Sequence, residues 1–439
     1  MANQRSPAEP GTTAGHTEAM TISFRPFDAE TDTAAVARIW HETRWIDADN
    51  DAQRRALEAF LSGGSADVGV IDGSAECLVH RTPGTIDYDD QVLAASVISA
   101  VTTSHVGRRR RLASTLTARA IAQAGQDGAV VALLGMFEQG FYDRFGFGTG
   151  APTLVATFDP DSLRVGGTRY RPPVRLGLED GVAMGDAMRR RLGHHGRVTL
   201  DAPDLLVAEW GFMERPFALG YRDGDRITHF VAGSLKEENG PFEIQVASYE
   251  TGDQLLELLR LLHELGDQVH SVELMEPAHL QLHPLIDTPN RQRSRSRRGP
   301  HETGTRVATW WQFRVLDVPA AVAARRWVGP PVEFDLVVSD PIDELLADPV
   351  DRMGWTGPAG SYRIRIATES SGERIADADA AGEGRPLLRC SIGSFSRLWF
   401  GVQPATALAL TSEIDAPAAL LDQLDAALLL PRPQPGQFF

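Results

Sequence analysis

A run of arginines at the start of a predicted helix carries the clearest chemical signal in the sequence. Residues 97–103 (VISAVTT) are short and apolar and predict a strand, which leads through Gly107 into the arginines Arg108 to Arg111. A helix is predicted from Leu112 onwards. The N–H groups and the dipole at a helix start attract phosphate, and arginine forks add charged hydrogen bonds. The alternative is a solvated basic helix start, but basic residues there oppose the dipole. The pattern favours a phosphate site.

The same turn resembles the acetyl-CoA motif of the GCN5-related N-acetyltransferases (GNAT), which reads Arg/Gln-x-x-Gly-x-Gly/Ala. The motif is occupied here by Arg108, Arg109, Arg110, Arg111, Leu112 and Ala113. Arg111 stands where the family has glycine, a residue that lets the backbone approach the pyrophosphate closely. The resemblance implies these acetyl-CoA contacts: Arg108, Arg109, Arg111, Ala113, Val101 and Thr103. Val101 and Thr103 would pair with the pantetheine arm through their backbone, as a sheet edge pairs with a peptide.

A second segment, FYDRFGFG at residues 141–148, resembles the (I/F)YxRFGYG run of the Eis (enhanced intracellular survival) family within these enzymes. In that family the tyrosine is the general acid that protonates the leaving CoA thiolate. The matching residue here is Tyr142, and a neutral phenol is a suitable donor to a thiolate. The structural alternative is that Tyr142 only packs a turn.

The chain ends in two phenylalanines after the segment PRPQPGQ. Eis-type proteins are similar in ending on an aromatic residue whose α-carboxylate reaches the active site. The resemblance implies that the carboxylate of Phe439 takes the proton of the substrate amine. Termini often fray, but exposing two phenylalanines to water is unfavourable, so we expect this tail to dock.

Composition narrows the class of protein. The chain has 439 residues and a net charge of −16, which argues against nucleic acid as the main partner and suits either solubility or a cationic substrate. No apolar stretch reaches the length of a membrane span. Residues 1–20 predict a disordered leader or a region before an alternative start at Met20, so we expect a cytoplasmic protein. Cys77 and Cys390 are expected to be buried apolar residues, and no metal site is expected.

Three units are predicted after the leader. Residues 21–160 predict an α/β unit with the acetyl-CoA site, in which residues 153–160 close the sheet. Residues 161–328 repeat this order without an arginine turn, and predict a degenerate second acetyltransferase-like unit. Residues 329–439 show α+β order, and the resemblance implies a sterol-carrier-protein-like domain. The predicted fold class is therefore α/β and α+β, with tandem GNAT units followed by that C-terminal domain.

Local patterns predict several elements of these units. Helices are expected at residues 31–45 and 51–61, with Asp28 as a helix cap. Hairpins are expected around Asp72-Gly73 and Asp223-Gly224.

Two further patterns receive no catalytic role. The basic, serine-rich segment 291–298 predicts a solvated loop, with an interaction loop as the alternative. His194 and His195 lack a third ligand at metal spacing and are expected in a turn or at the surface.

The predicted function is acetyl-CoA-dependent N-acetylation of a primary amine on a cationic small molecule, similar to an aminoglycoside or a polyamine. Trp40, Glu42 and Trp45 are candidates for an acidic, aromatic substrate pocket, although tryptophans at this spacing are also typical of a core. A protein or peptide lysine acetyltransferase is one alternative. A non-catalytic CoA- or lipid-binding protein with a decayed site is another, which Arg111 favours. The resemblance also implies a homo-oligomer, a hexamer built as a trimer of dimers.

Overall fold

The computed structural model describes residues 20–47, 49–202, 205–289, 302–348, 350–376, 384–411 and 413–439. The predicted leader up to residue 19 and the basic segment 291–298 lie outside the described residues.

The N-terminal part alternates strands and helices. Its elements are β1 (Ile22–Pro26), α1 (Ala29–Glu42), α2 (Asp51–Ser62), β2 (Ser65–Ile71), β3 (Ser74–Tyr88), β4 (Gln91–Thr103), α3 (Leu112–Gln126), β5 (Val131–Gly135), β6 (Gly148–Thr149) and β7 (Thr153–Phe158). The middle part contains β8 (Val174–Arg175), α4 (Gly181–Arg190), β9 (Val198–Leu200), α5 (Leu205–Phe212), β10 (Pro216–Asp223), β11 (Arg226–Leu235), β12 (Phe242–Ser248), α6 (Gly252–His263), β13 (Val272–Met275), β14 (Gly304–Ala308), β15 (Trp311–Val315) and α7 (Val318–Ala323). The C-terminal part contains β16 (Val332–Ser339), β17 (Gly360–Ile366), β18 (Ser371–Ile375), β19 (Leu387–Ser391), α8 (Ile392–Trp399), α9 (Ala405–Leu410), β20 (Ile414–Asp415) and α10 (Ala418–Ala427).

Local sequence signals explain several of these boundaries. The Asp28 side chain accepts hydrogen bonds from the first N–H groups of α1, as predicted, and Asn50 does the same for α2. Asp72 and Gly73 both have positive φ, at 47° and 87°, as a tight hairpin turn between β2 and β3 requires. The predicted hairpin around Asp223-Gly224 is also confirmed, between β10 and β11.

The first sheet has the strand order β1-β2-β3-β4-β5-β15-β6, with β9 beside β3. Strands β4 and β5 run parallel, so the chain must cross over between them, and α3 makes this crossover. One face of α3 is buried against the sheet through residues such as Leu116 and Ile121. The crossover places the start of α3 directly after the end of β4.

The second sheet has the order β14-β7-β13-β12-β11-β10-β8. The prediction that residues 153–160 close the first sheet is therefore wrong, because β7 pairs with β13 and β14. The first sheet is completed instead by β15, from residues 311–315 of the predicted second unit, and β9 also crosses this boundary. Short strands of this kind do not encode their partner locally, since pairing depends on burial against distant residues.

The third sheet, β18-β17-β16-β19-β20, packs with α7 to α10. Its core is continuous with that of the first sheet, because Trp311 and Phe313 of β15 belong to the same buried cluster as Phe334 and Trp399. The C-terminal part is thereby fixed against the sheet that contains β4 and β5.

Other predictions concern single residues. Cys77 and Cys390 are free and buried, as expected. His194 is half-buried, and His195 lies in a turn, as expected, although it is only 4% exposed. In the part of the chain that the structure describes, no helix is both long enough and apolar enough to span a membrane.

Candidate active site

A cavity of about 550 Å³ lies between the first sheet, α5 and the end of the chain. It brings together five residues predicted for the site from widely separated positions: Trp40, Trp45, Val101, Tyr142 and Phe439. We name this space, bounded by those residues and by Gly135, Glu209, Phe212 and Trp310, the central cavity.

Tyr142 is buried in the wall of the central cavity. It precedes a single 3-10 turn, Asp143–Phe145, and is only 7% exposed. Its ring contacts Phe141 edge-on, with centroids 4.9 Å apart, and also packs on Phe147. Burial raises the pKa of Tyr142 to about 12. The phenol is therefore protonated at neutral pH and can act as a hydrogen-bond or proton donor.

Phe439 docks rather than frays. Its main-chain oxygen, part of the terminal carboxylate, lies over Gly135, so close that a Cβ added to Gly135 would be 2.6 Å from it. The Phe439 ring packs on Trp310, with centroids 5.3 Å apart, and Phe438 packs on the same indole. Glycine is needed at position 135 because any side chain would displace the carboxylate.

Strand β4 diverges from its parallel neighbour at the central cavity. Its pairing with β5 ends at Val97, which leaves the segment from Ile98 to Thr103 unpaired on that side. A bulge at Ala100 and Val101, where Ala100 has φ 51°, bends the strand further. A free strand edge of this kind can pair with an extended ligand. Thr103 lies at its end and donates a hydrogen bond to Cys77 Sγ at 3.2 Å.

The arginine turn after β4 leaves the start of α3 open. Arg111 occupies the N-cap position with φ 62° and makes no side-chain cap hydrogen bond, so the first N–H groups of α3 lack that partner. Arg108, Arg109 and Arg111 are exposed, and none of their side chains makes a hydrogen bond or ion pair with the residues that the structure describes. Ala113 is half-buried in the first helical turn. These donors suit a phosphate or pyrophosphate.

The three candidates for substrate binding have different environments. Trp40 is 4% exposed and packs on Trp45, Phe60 and Phe212, whereas Trp45 is 37% exposed at the cavity mouth. Glu42 is outside the central cavity. Its carboxylate accepts hydrogen bonds from Arg38 and from the backbone N–H of His105, in the turn that leads from β4 to the arginines. Glu42 thus fixes that turn, and it lines only a neighbouring cavity.

Sequence reasoning missed the residues that α5 contributes. Glu209 and Phe212 line the central cavity and also a second cavity of about 470 Å³ beside it. The protein surroundings of Glu209 raise its pKa to about 7 by desolvation. Trp310, just before β15, was also missed. No local signal marks these residues, because they reach the site through packing between distant segments.

The described residues contain no group of three or more His, Cys, Asp or Glu side chains that could hold a metal ion. The chemical groups at the central cavity include a protonated phenol, a terminal carboxylate, a free strand edge and, beyond it, an open helix start. This set can bind an extended phosphorylated ligand and move protons at its end.

Two protein families match parts of this chain. The acetyltransferase (GNAT) domain family matches residues 29–150, which contain β4, the arginine turn, α3 and Tyr142. The chain is an N-acetyltransferase with a GNAT domain. The GNAT fold uses acetyl-CoA as its acyl donor. The sterol carrier protein domain family matches residues 318–435. The predicted fold class, a GNAT unit near the N-terminus and a sterol-carrier-like domain near the C-terminus, is therefore confirmed.

One sequence relative and several solved structures are similar over most of the chain. An uncharacterized N-acetyltransferase from Streptomyces avermitilis is 25% identical over 333 residues, which cover 73% of this chain and 74% of the relative. A GCN5-related N-acetyltransferase from Kribbella flavida is similar in fold, with TM-score 0.70 and 18% identity over 95% of this chain and 99% of the other. Eis1 from Mycobacterium abscessus is similar with TM-score 0.68 and 17% identity, over 96% and 100%.

Proposed function

We propose that this GNAT enzyme is Eis-like and transfers the acetyl group of acetyl-CoA to a primary amine of a cationic small molecule, similar to an aminoglycoside or a polyamine. The observation that carries the proposal is the meeting of the Tyr142 phenol and the Phe439 carboxylate in one cavity. One group can donate a proton and the other can accept one, as acyl transfer from a thioester to an amine requires.

The residues present fit acetyl-CoA. The open start of α3, with Arg108 and Arg109, suits the pyrophosphate, and the free edge of β4 at Val101 suits the pantetheine amides. Arg111 and Ala113 would flank the phosphates, and Thr103 would contact the chain between the two ends. When bound, acetyl-CoA supplies the acetyl group as a thioester.

The protein then moves one proton from nitrogen to sulfur. The Phe439 carboxylate takes a proton from the substrate amine, whose lone pair forms the C–N bond at the thioester carbonyl carbon. Tyr142 gives its phenolic proton to the sulfur as the C–S bond breaks. Backbone N–H groups at the bulge near Val101 would stabilise the negative charge on the carbonyl oxygen. Solvent afterwards restores the proton on Tyr142 and removes the one on Phe439.

The surroundings of the cavity support a cationic substrate. Glu209 lies at its wall, and the neighbouring cavity of about 680 Å³ shares Trp45 and Phe212 with it and is lined by Glu214 and Asp47. Carboxylates attract ammonium groups, and aromatic faces add cation–π attraction. The net charge of −16 acts in the same direction.

Release of the CoA thiol in the presence of a panel of amines tests the proposal. The panel contains polyamines, aminoglycosides and a lysine-containing peptide, each added to enzyme saturated with acetyl-CoA. We expect at least one polyamine or aminoglycoside to stimulate release far more than the peptide does. Binding of acetyl-CoA without stimulation by any amine would contradict the proposal.

The proposal also includes the oligomeric state of the protein. An Eis-like enzyme would form a hexamer, a trimer of dimers. Light scattering coupled to gel filtration would give six times the chain mass of 47.8 kDa, and a monomer would contradict this part.

A further inference from the structure

The segment between α4 and β9 holds the backbone of the C-terminal tail. Val198 N donates to Pro435 O at 3.0 Å, and Gln434 N donates to His195 O at 3.2 Å. Gly196 permits this approach, because a Cβ there would be 2.5 Å from Gln434 N. We name residues 191–198 the tail clamp. These contacts lie outside the central cavity, which none of the clamp residues lines.

Arg191 contributes a buried positive charge to the tail clamp. Its Nη2 donates to Pro435 O at 3.2 Å and to Val198 O, and its Nη1 donates to Met188 O at 2.7 Å. Burial and the neighbouring Arg197 lower its pKa to about 9, so the guanidinium stays charged at neutral pH. No carboxylate among the described residues forms an ion pair with it. Carbonyl oxygens, one of them on the tail, therefore stabilise this buried charge.

His194 contacts Gln434, the residue before Pro435 in the tail. Its Nε2 is 3.1 Å from Gln434 O, while its Nδ1 is 3.4 Å from Leu192 O. Burial lowers the pKa of His194 to about 4, so the ring is neutral at neutral pH. We assign the single N–H of the neutral ring to Nε2, the nearer nitrogen, so that it donates to Gln434 O. His194 also packs on Gly436, where an added Cβ would be 3.2 Å from the ring.

We propose that Arg191 and His194 are positioning residues that keep the Phe439 carboxylate in the central cavity by fixing the tail at Gln434 and Pro435. The inference rests on the proposed role of that carboxylate as the base. Four residues span at most about 14 Å when extended, so release at Pro435 lets the carboxylate leave its place over Gly135. A catalytic group that is displaced by even 1 Å can lose most of its effect.

Carboxypeptidase A reports directly on the tail, because it removes an accessible C-terminal phenylalanine. His194→Ala removes one tail contact with little change in the core. His263→Ala is the matched control, since His263 is also half-buried and its Nδ1 lies 3.2 Å from Pro160 O, a carbonyl outside the tail. We expect His194→Ala to speed removal of Phe439 about fivefold, as the loss of one hydrogen bond predicts, and His263→Ala to leave the rate unchanged. Arg191→Met should have a larger effect if it folds.

Turnover shows whether the clamp serves catalysis. We expect His194→Ala to lower kcat while the KM for acetyl-CoA stays the same, because the phosphate contacts are elsewhere. In protein extended by two glycines after Phe439, which moves the carboxylate away, His194→Ala should cause no further loss of kcat.

The outcomes separate the two proposals. Unchanged trimming of Phe439 in His194→Ala would overturn the tail clamp. Faster trimming with an unchanged kcat, in a protein whose kcat does fall on extension, would overturn its positioning role. An extension that leaves kcat unchanged would instead overturn the proposed base.

Discussion

The chain uses the same strand–turn–helix frame twice, and only one copy has an open helix start. In both copies a helix crosses between parallel strands: α3 between β4 and β5, and α6 between β12 and β13. Thr251 caps α6 by accepting from Gln254 N at 3.3 Å, and Asp253 adds a negative charge to its first turn. Arg111 caps nothing at α3, and no acidic residue lies in the first turn there. An uncapped start flanked by arginines binds anions, whereas a capped, acidic start repels them.

The largest expected effect separates Tyr142 from a tyrosine of the second sheet. Tyr142→Phe removes the proton donor, so we expect kcat to fall about 100-fold or more, with unchanged acetyl-CoA affinity. Tyr221, in β10 beside the second copy, is the matched control: it is also buried, and burial raises its pKa, but it lies outside the central cavity. Steady-state CoA release measures both variants. A similar loss of kcat in the two variants would contradict the role of Tyr142 as the proton donor.

The next largest effect is a fall in kcat on substitution of one glycine, with a second glycine as the control. Gly135→Ala places a methyl group where the Phe439 carboxylate lies, so we expect kcat to fall about tenfold through displacement of that group. Gly252→Ala, at the start of α6, meets nothing within 4 Å and should keep full activity. Turnover and a thermal melt should be measured for each, so that a folding defect is recognised. Full activity of Gly135→Ala would argue against the carboxylate as base.

The arginines of the first turn should affect affinity more than rate. We expect the double variant Arg108→Gln, Arg109→Gln to raise the Kd for acetyl-CoA about fivefold, and by less in high salt, because exposed charges are screened. Arg226→Gln is the control, since Arg226 pairs with Glu250 at the other turn. Calorimetric titration at two ionic strengths measures both. Equal Kd values for the two variants would indicate that the phosphates of acetyl-CoA do not bind at Arg108 and Arg109.

The smallest effect concerns stability. Arg111 and Arg44 both have φ 62°, which costs a non-glycine residue roughly 1–2 kcal/mol. Glycine removes this strain but has more freedom in the unfolded chain, so we expect Arg111→Gly and Arg44→Gly each to raise the free energy of unfolding by about 0.5–1 kcal/mol. Denaturant unfolding measures the gain. We also expect both variants to retain acetyl-CoA binding. A lower free energy of unfolding in both variants would contradict the backbone strain inferred at Arg111.

Local motifs explain how much of the site could be predicted. Tyr142 lies in a continuous aromatic-glycine run, and Phe439 is the last residue of the chain, so sequence alone indicates both. The arginine turn is equally local. Its left-handed backbone at Arg111 also gives a reason for the glycine expected there, because glycine adopts positive φ without strain.

The missed features depend on tertiary structure. Strands β7 and β15 are both short, and only long-range pairing assigns one to each sheet. Glu209 enters the site because α5 packs across α2, and the tail clamp forms because Pro435 returns to β9. Glu42 is a suitable carboxylate by type, but its contacts with the backbone of His105 and with Arg38 occupy it. No pattern of residue spacing in the sequence indicates these long-range contacts.

In the proposed mechanism the terminal carboxylate of Phe439 accepts the proton of the amine, and Tyr142 donates a proton to the sulfur. The most direct measurement is amine-stimulated CoA release by protein extended with two glycines after Phe439, at saturating acetyl-CoA. We expect turnover to fall about tenfold or more, with an unchanged Kd for acetyl-CoA. Turnover equal to that of the unextended protein would contradict this mechanism.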